Sequence, residues 1–194
     1  MNNKYRTILA AEESFARRVA LGIHVNRPLT VWRCLIPGMF IIDFLTRERT
    51  IRRYSQAFLR TRKFALEAAE VRKQKEDKTG IKAQIEPQVA QSLSDLGLYN
   101  DALIKRQTEA ISCLIEHYLK LLRQEGETHE DLIRKAYPNA YQFKDFLETL
   151  TAFEDQVDQA ILEARGASES LRRKLSEGKK QVAIQREKLM DKIY

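Results

Sequence analysis

A chain of 194 residues with 43% hydrophobic content has enough apolar material to bury a core, which excludes wholesale disorder. Seven glycines and four prolines are too few for the turns of an all-β fold, so long helices are expected. The net charge of +7 is unevenly placed: residues 1–63 carry 13 Lys/Arg against 4 Asp/Glu, residues 101–163 carry 7 against 13, and residues 164–194 carry 9 against 4. A basic head and tail around an acidic middle point to an anionic partner for the head, or to neutralisation of one block by another within the fold.

The first helix is expected from about Lys4 to Val25, where Ile8, Leu9, Glu12, Phe15, Ala16, Val19 and Ile23 recur at helical spacing. Met1 to Arg18 is charged and holds no signal-peptide core, so the expected location is the cytoplasm. Cys34 and Cys113 both sit in apolar runs and read as reduced core thiols rather than a disulfide framework. Arg27-Pro28 interrupts the helix, since a residue before proline avoids the α region.

Segment 29–45 is the most apolar in the chain. Its unbroken part, Cys34 to Ile42, contains Pro37-Gly38 and would cover about 13.5 Å as helix, against roughly 30 Å for a bilayer core. Arg33 and Asp43 also lie within it, and charge is costly at bilayer depth. The segment reads as an interfacial anchor, with Trp32, Leu35, Ile36, Met39, Phe40, Ile41 and Phe44 as membrane contacts. A core helix kinked at Pro37 and a partner-protein groove are the alternatives.

A long helix is expected from Thr46 to about Lys75. Ile51, Tyr54, Phe58, Ala65 and Ala69 form its apolar stripe, with Arg49, Arg52, Arg53, Arg60 and Lys63 opposite. Together with Arg33 and Arg47 these cations form the expected anionic-surface-binding set. Phosphates of nucleic acid would suit the same stripe without sequence specificity, although no helix-turn-helix or other nucleic-acid-binding signature accompanies it.

Lys73 to Gly80 reads as a loop, and a short helix is expected to start near Pro87 and end at Gly97. Three further helices follow: Asn100 to Gln124, a short one opened by the capping-box pattern Thr128-His-Glu-Asp131 and ending at Tyr137-Pro138, and one from Asn139 to about Arg165, stopped by Gly166. From Ser168 to Tyr194, Leu171, Leu175, Gly178, Val182, Gln185 and Leu189 follow heptad spacing with weak seam positions at Gly178 and Gln185. That helix is expected to pack within the molecule or to pair two copies of the chain.

Catalytic grammar is absent from the sequence. No phosphate-binding glycine loop, nucleotide-binding glycine turn or nucleophile elbow occurs. Cys113 and His117 share a helix face, but a zinc site needs further ligands, so no metal and no cofactor is expected. The paired acids Glu12-Glu13, Glu76-Asp77 and Glu154-Asp155 read as solvated charge, because adjacent helical residues do not face each other.

Phe15-Ala16, the stretch from Pro28 through Trp32-Arg-Cys-Leu-Ile-Pro37, Phe58 to Ala69, and His117 to Leu122 through Ala136-Tyr137 together resemble an uncharacterised family of bacterial all-helical proteins of about this length, marked by a W-x3-I-P segment. The resemblance implies a helical fold with a more apolar counterpart of 29–45, and it carries over no activity. Arg33, Gly38 and Asp43 depart from that apolar pattern.

The expectation is therefore an all-α helical bundle: a basic N-terminal helical module (1–75), a linker (76–83), a bundle (84–166) and a C-terminal amphipathic helix (167–194). Its expected role is that of a non-enzymatic scaffold or adaptor, peripheral to the cytoplasmic face of the inner membrane. Anionic lipid or a protein is the expected partner. A nucleic acid or assembly subunit role is the alternative, with a homo-oligomer formed through the last helix.

Overall fold

In the computed structural model the chain forms a helical bundle, with no strand among the described residues. The structure describes residues 3–25, 39–75, 81–95 and 97–194, with side chains described for 3–23, 51–74, 82–95 and 97–194. The helices are α1 (Asn3–Val25), α2 (Met39–Lys75), α3 (Ile81–Asp95), α4 (Asp101–Arg123), α5 (His129–Ala136), α6 (Ala140–Arg165) and α7 (Glu169–Ile193).

Local chemistry fixes most of the boundaries. Asn100, Thr128, Asn139 and Ser168 each accept a hydrogen bond from the backbone N–H three residues on, satisfying amides that the first helical turn leaves unpaired. At Thr128 the bond is reciprocal, because the Asp131 side chain accepts from the Thr128 backbone N–H. α3 ends in a Schellman arrangement: the N–H of Gly97, at φ 66°, bonds the Ser94 carbonyl, and that of Leu98 bonds the Leu93 carbonyl.

Two helices start earlier than the sequence suggests. α2 begins at Met39 rather than Thr46, so the apolar residues 39–45 and the basic stripe share one helix. α3 begins at Ile81 and carries Pro87 in its interior instead of at its first turn. Ile85 and Val89, on either side of Pro87, are both buried, and this burial holds the turns that proline's missing N–H weakens.

A central core runs through all seven described helices. Tyr5 and Ile8 of α1, Leu66 of α2, Ile85 of α3, Tyr118 and Leu122 of α4, Leu132 and Ile133 of α5, Phe143 and Leu150 of α6 and Ile193 of α7 belong to it. A smaller cluster of Phe15, Val19 and Ile23 is covered by Phe58 and Val182.

α7 packs on α1, α5 and α6 of the same chain, and its two weak heptad positions have specific roles there. Gln185 accepts a hydrogen bond from Arg18 Nε at 3.1 Å, and a Cβ built on Gly178 would stand 3.0 Å from the Tyr54 hydroxyl. The far end of α7 is tied to α5 and the residue that caps it. Arg134 donates to the Ile193 carbonyl, the Tyr194 hydroxyl donates to the Tyr137 carbonyl, and Lys192 pairs with Glu130.

Candidate functional site: a basic helix face over a buried charge cluster

α2 changes character along its length. Among its described side chains, none from Ile51 to Thr61 is buried; Arg62 is the first that is, followed by Ala65, Leu66 and Ala69. Arg52, Arg53, Arg60 and Lys63 are exposed, and at 100° per residue they fall within an arc of about 100°, turned away from the buried stripe. Lys63 makes only a loose ion pair with Glu67, at 3.9 Å and with both side chains half-exposed.

The remaining expected contact residues are not all covered. Trp32, Arg33, Leu35 and Ile36 lie outside the described residues. Met39, Phe40, Ile41, Phe44, Arg47 and Arg49 lie on α2, with their side chains outside the description.

Arg62 turns inward between those surface cations. Its Nη1 donates to Glu12 Oε2 at 2.9 Å, and its guanidinium lies over the rings of Phe15 and Phe58 at 5.0 and 4.9 Å from their centroids. The second Glu12 oxygen accepts from the Tyr118 hydroxyl at 2.8 Å. Burial pushes the Glu12 carboxyl up, but Arg62 and the two hydrogen bonds outweigh it and hold the group below the ordinary carboxylate value. Burial likewise opposes the charge on Arg62, and Glu12 overrides it. The pair stays ionised, with both carboxylate oxygens engaged.

The reading of Glu12 as a solvated acid is therefore corrected, whereas Glu154 and Asp155 stay partly exposed and are paired at the surface. Glu12 is only 6% exposed. Glu154 accepts from Arg186 at 2.8 Å, with Arg62 at 3.8 Å, and Asp155 pairs with Lys179 at 2.7 Å. Adjacent acids do not face each other, but each of these faces a cation brought by another helix. Glu13 remains exposed, and Glu76-Asp77 lies outside the described residues.

His117 stacks on Phe146, with centroids 4.1 Å apart and planes 7° from parallel, and its Nδ1 hydrogen-bonds the Tyr137 hydroxyl at 2.8 Å. Burial holds its pKa well below the ordinary value, so the ring is neutral. Cys113 is half-buried, and burial, then Glu154, pushes its thiol up to about 11, which suits an inert packing group. Cys34 lies outside the described residues. No cluster of three His, Cys, Asp or Glu suited to a metal ion occurs among the described residues.

Sequence reasoning separated the outward cations from the apolar stripe of α2, because that division is periodic along one helix. It missed the Glu12–Arg62 pair, whose members are 50 residues apart, and the buried Gln181 and Arg186 of α7. Glu12 lies on the apolar stripe of α1, and that placement was the one local signal of its burial. Family models, curated proteins and solved structures, searched in turn with this chain, return no match.

Proposed function

We propose that the protein is a non-enzymatic helical scaffold that docks on an anionic membrane surface from the cytoplasmic side, through segment 29–45 and the basic face of α2. The observation that carries the reading is the exposure of Arg52, Arg53, Arg60 and Lys63 along one side of the helix whose first turns are the apolar residues 39–45. α2 runs 37 residues, about 55 Å at 1.5 Å per residue, so one continuous helix joins the apolar run to the bundle. No helix among the described residues is long and apolar enough to cross a membrane, which is compatible with contact at the surface.

Each cation near an anionic surface contributes about 1 kcal/mol, so four contribute on the order of 4 kcal/mol, or roughly a thousandfold in affinity. Flotation of the protein with liposomes tests the reading. Binding is expected to require anionic lipid, to weaken with salt, and to disappear when Arg52, Arg53, Arg60 and Lys63 are all changed to Glu. Trp32→Asp with Phe40→Asp is expected to release the protein as well. Undiminished flotation of both variants, or no flotation at all, would refute the docking. Salt-sensitive binding to nucleic acid that survives the Trp32 and Phe40 changes would assign the basic face to phosphates instead.

A further inference from the structure

A cavity of about 690 Å³ lies among α1, α4, α5, α6 and α7, with Arg62 of α2 also in its lining, away from the outer face of α2. Small-molecule sites typically occupy roughly 300–1,000 Å³, whereas close-packed interiors leave few voids larger than a water molecule. Phe15, Leu114, Phe143, Phe146, Leu147 and Leu150 give it an apolar wall. Its charged lining is Arg18, Arg62, Arg186, Lys188 and Lys192 against Glu12 and Glu130, a formal +5 against −2.

Most of that charge is already engaged. Arg62 and Arg186 are bonded to Glu12 and Glu154, and Lys192 to Glu130. Arg18 is bonded to the neutral oxygens of Gln185 and Ser14, and Lys188 stands exposed one turn along α7 from Gln185.

One buried polar atom of the lining has no partner. His129, the first residue of α5, lines the cavity, and its Nε2 is buried without a hydrogen bond. Buried polar side-chain atoms are nearly always paired, so an orphan beside a large cavity calls for an acceptor within it, either water or a ligand atom. Burial keeps the His129 ring toward its neutral form against the pull of Glu12 and Glu130, and a neutral ring carrying its proton on Nε2 offers one donor.

We infer that this cavity binds a small amphiphilic carboxylate, with its hydrocarbon or aryl body against Phe143, Phe146 and Leu150 and its carboxylate accepting from His129 Nε2–H. The net positive lining favours a single negative charge. A phosphate would need more donors than one imidazole supplies, and its surface would waste the apolar wall. This site goes beyond membrane docking and does not depend on it.

The probe is decanoate, titrated below its micelle-forming concentration into the full chain without lipid. Calorimetry follows the binding, and nitrogen-edited NMR follows the imidazoles. Saturable one-to-one binding is expected, with a shift of the His129 Nε2 resonance. Affinity is expected to fall at least tenfold in His129→Phe and at least tenfold for decanol in place of decanoate. Liposome flotation is expected to be the same in His129→Phe as in the unaltered chain.

Intermolecular NOEs from the decanoate methylenes to the Phe146 ring in the unaltered chain locate the ligand even where a variant fails to fold. Absence of saturable binding would mean that solvent alone fills the cavity, and would overturn the inference. So would decanol binding as tightly as decanoate, or NOEs confined to other surfaces.

Discussion

Arg62 shows how much of this fold rests on single polar contacts. Its charge is shared between a carboxylate of α1 and two aromatic faces, and that carboxylate is also bonded by Tyr118 of α4. Breaking a buried pair by removing one partner costs about 3–5 kcal/mol, because the other charge is left uncompensated. Arg62→Met is expected to destabilise by that amount in urea unfolding. Glu12→Gln with Arg62→Met should cost much less than the two single changes summed, and additive costs would show that the pair is not coupled. None of this was legible in the sequence beyond the place of Glu12 on an apolar stripe, since the partner lies on another helix, 50 residues away.

Titration gives a second test at the same scale. Burial keeps His117 and His129 below the ordinary histidine value in the fold. The unfolded chain therefore takes up protons first as pH falls below about 6.5, and stability is lost there. For His117, which is buried, the slope reaches about 1.4 kcal/mol per pH unit. Asp158 works in the opposite sense. Burial, then Asp155 and Glu154, pushes it up to about 6, so it costs stability above that pH, and the cost disappears as the pH falls toward the ordinary aspartate value. Asp158→Asn is expected to raise Tm at pH 7 and to leave it unchanged near pH 4. A Tm gain of equal size at both pH values would sink the assignment.

Among the elements, the starts of α4, α5, α6 and α7 were legible because Asn100, Thr128, Asn139 and Ser168 announce them within a few residues. The starts of α2 and α3 were not. Pro37-Gly38 and Pro87 are strong local breakers, but helix continues up to the first and through the second. The α1–α7 crossing is close because Gly22 leaves room for Gln181, whose Oε1 would lie 2.0 Å from a Cβ at that position. Gln181 is itself buried, so its amide must turn toward the cavity that it lines for a Cβ to fit. Gly22→Ala is expected to destabilise by about 1–3 kcal/mol, as overpacking does. The same change made in a Gln181→Ala background should cost less than half as much, and an unchanged cost would place the strain elsewhere.

Across the whole molecule, the helical class followed from composition and spacing, whereas the sharing of one core by all seven described helices did not. That core joins Tyr5 near one end of the chain to Ile193 near the other, and contacts so distant in sequence leave no periodic trace. The tie between α5 and the end of α7 has a consequence for how the molecule opens. At eight residues α5 is shorter than the roughly 12–15 that an isolated helix needs to persist, so its amides borrow their protection from what covers them. Its cover includes the last turn of α7, held by Arg134, Tyr194 and Lys192. Amide hydrogen exchange should therefore find α5 and the last turn of α7 opening as one unit, at a lower free energy than α4. Arg134→Gln is expected to speed exchange in both together while α4 keeps its rate. Acceleration in α5 alone would show that the two open independently.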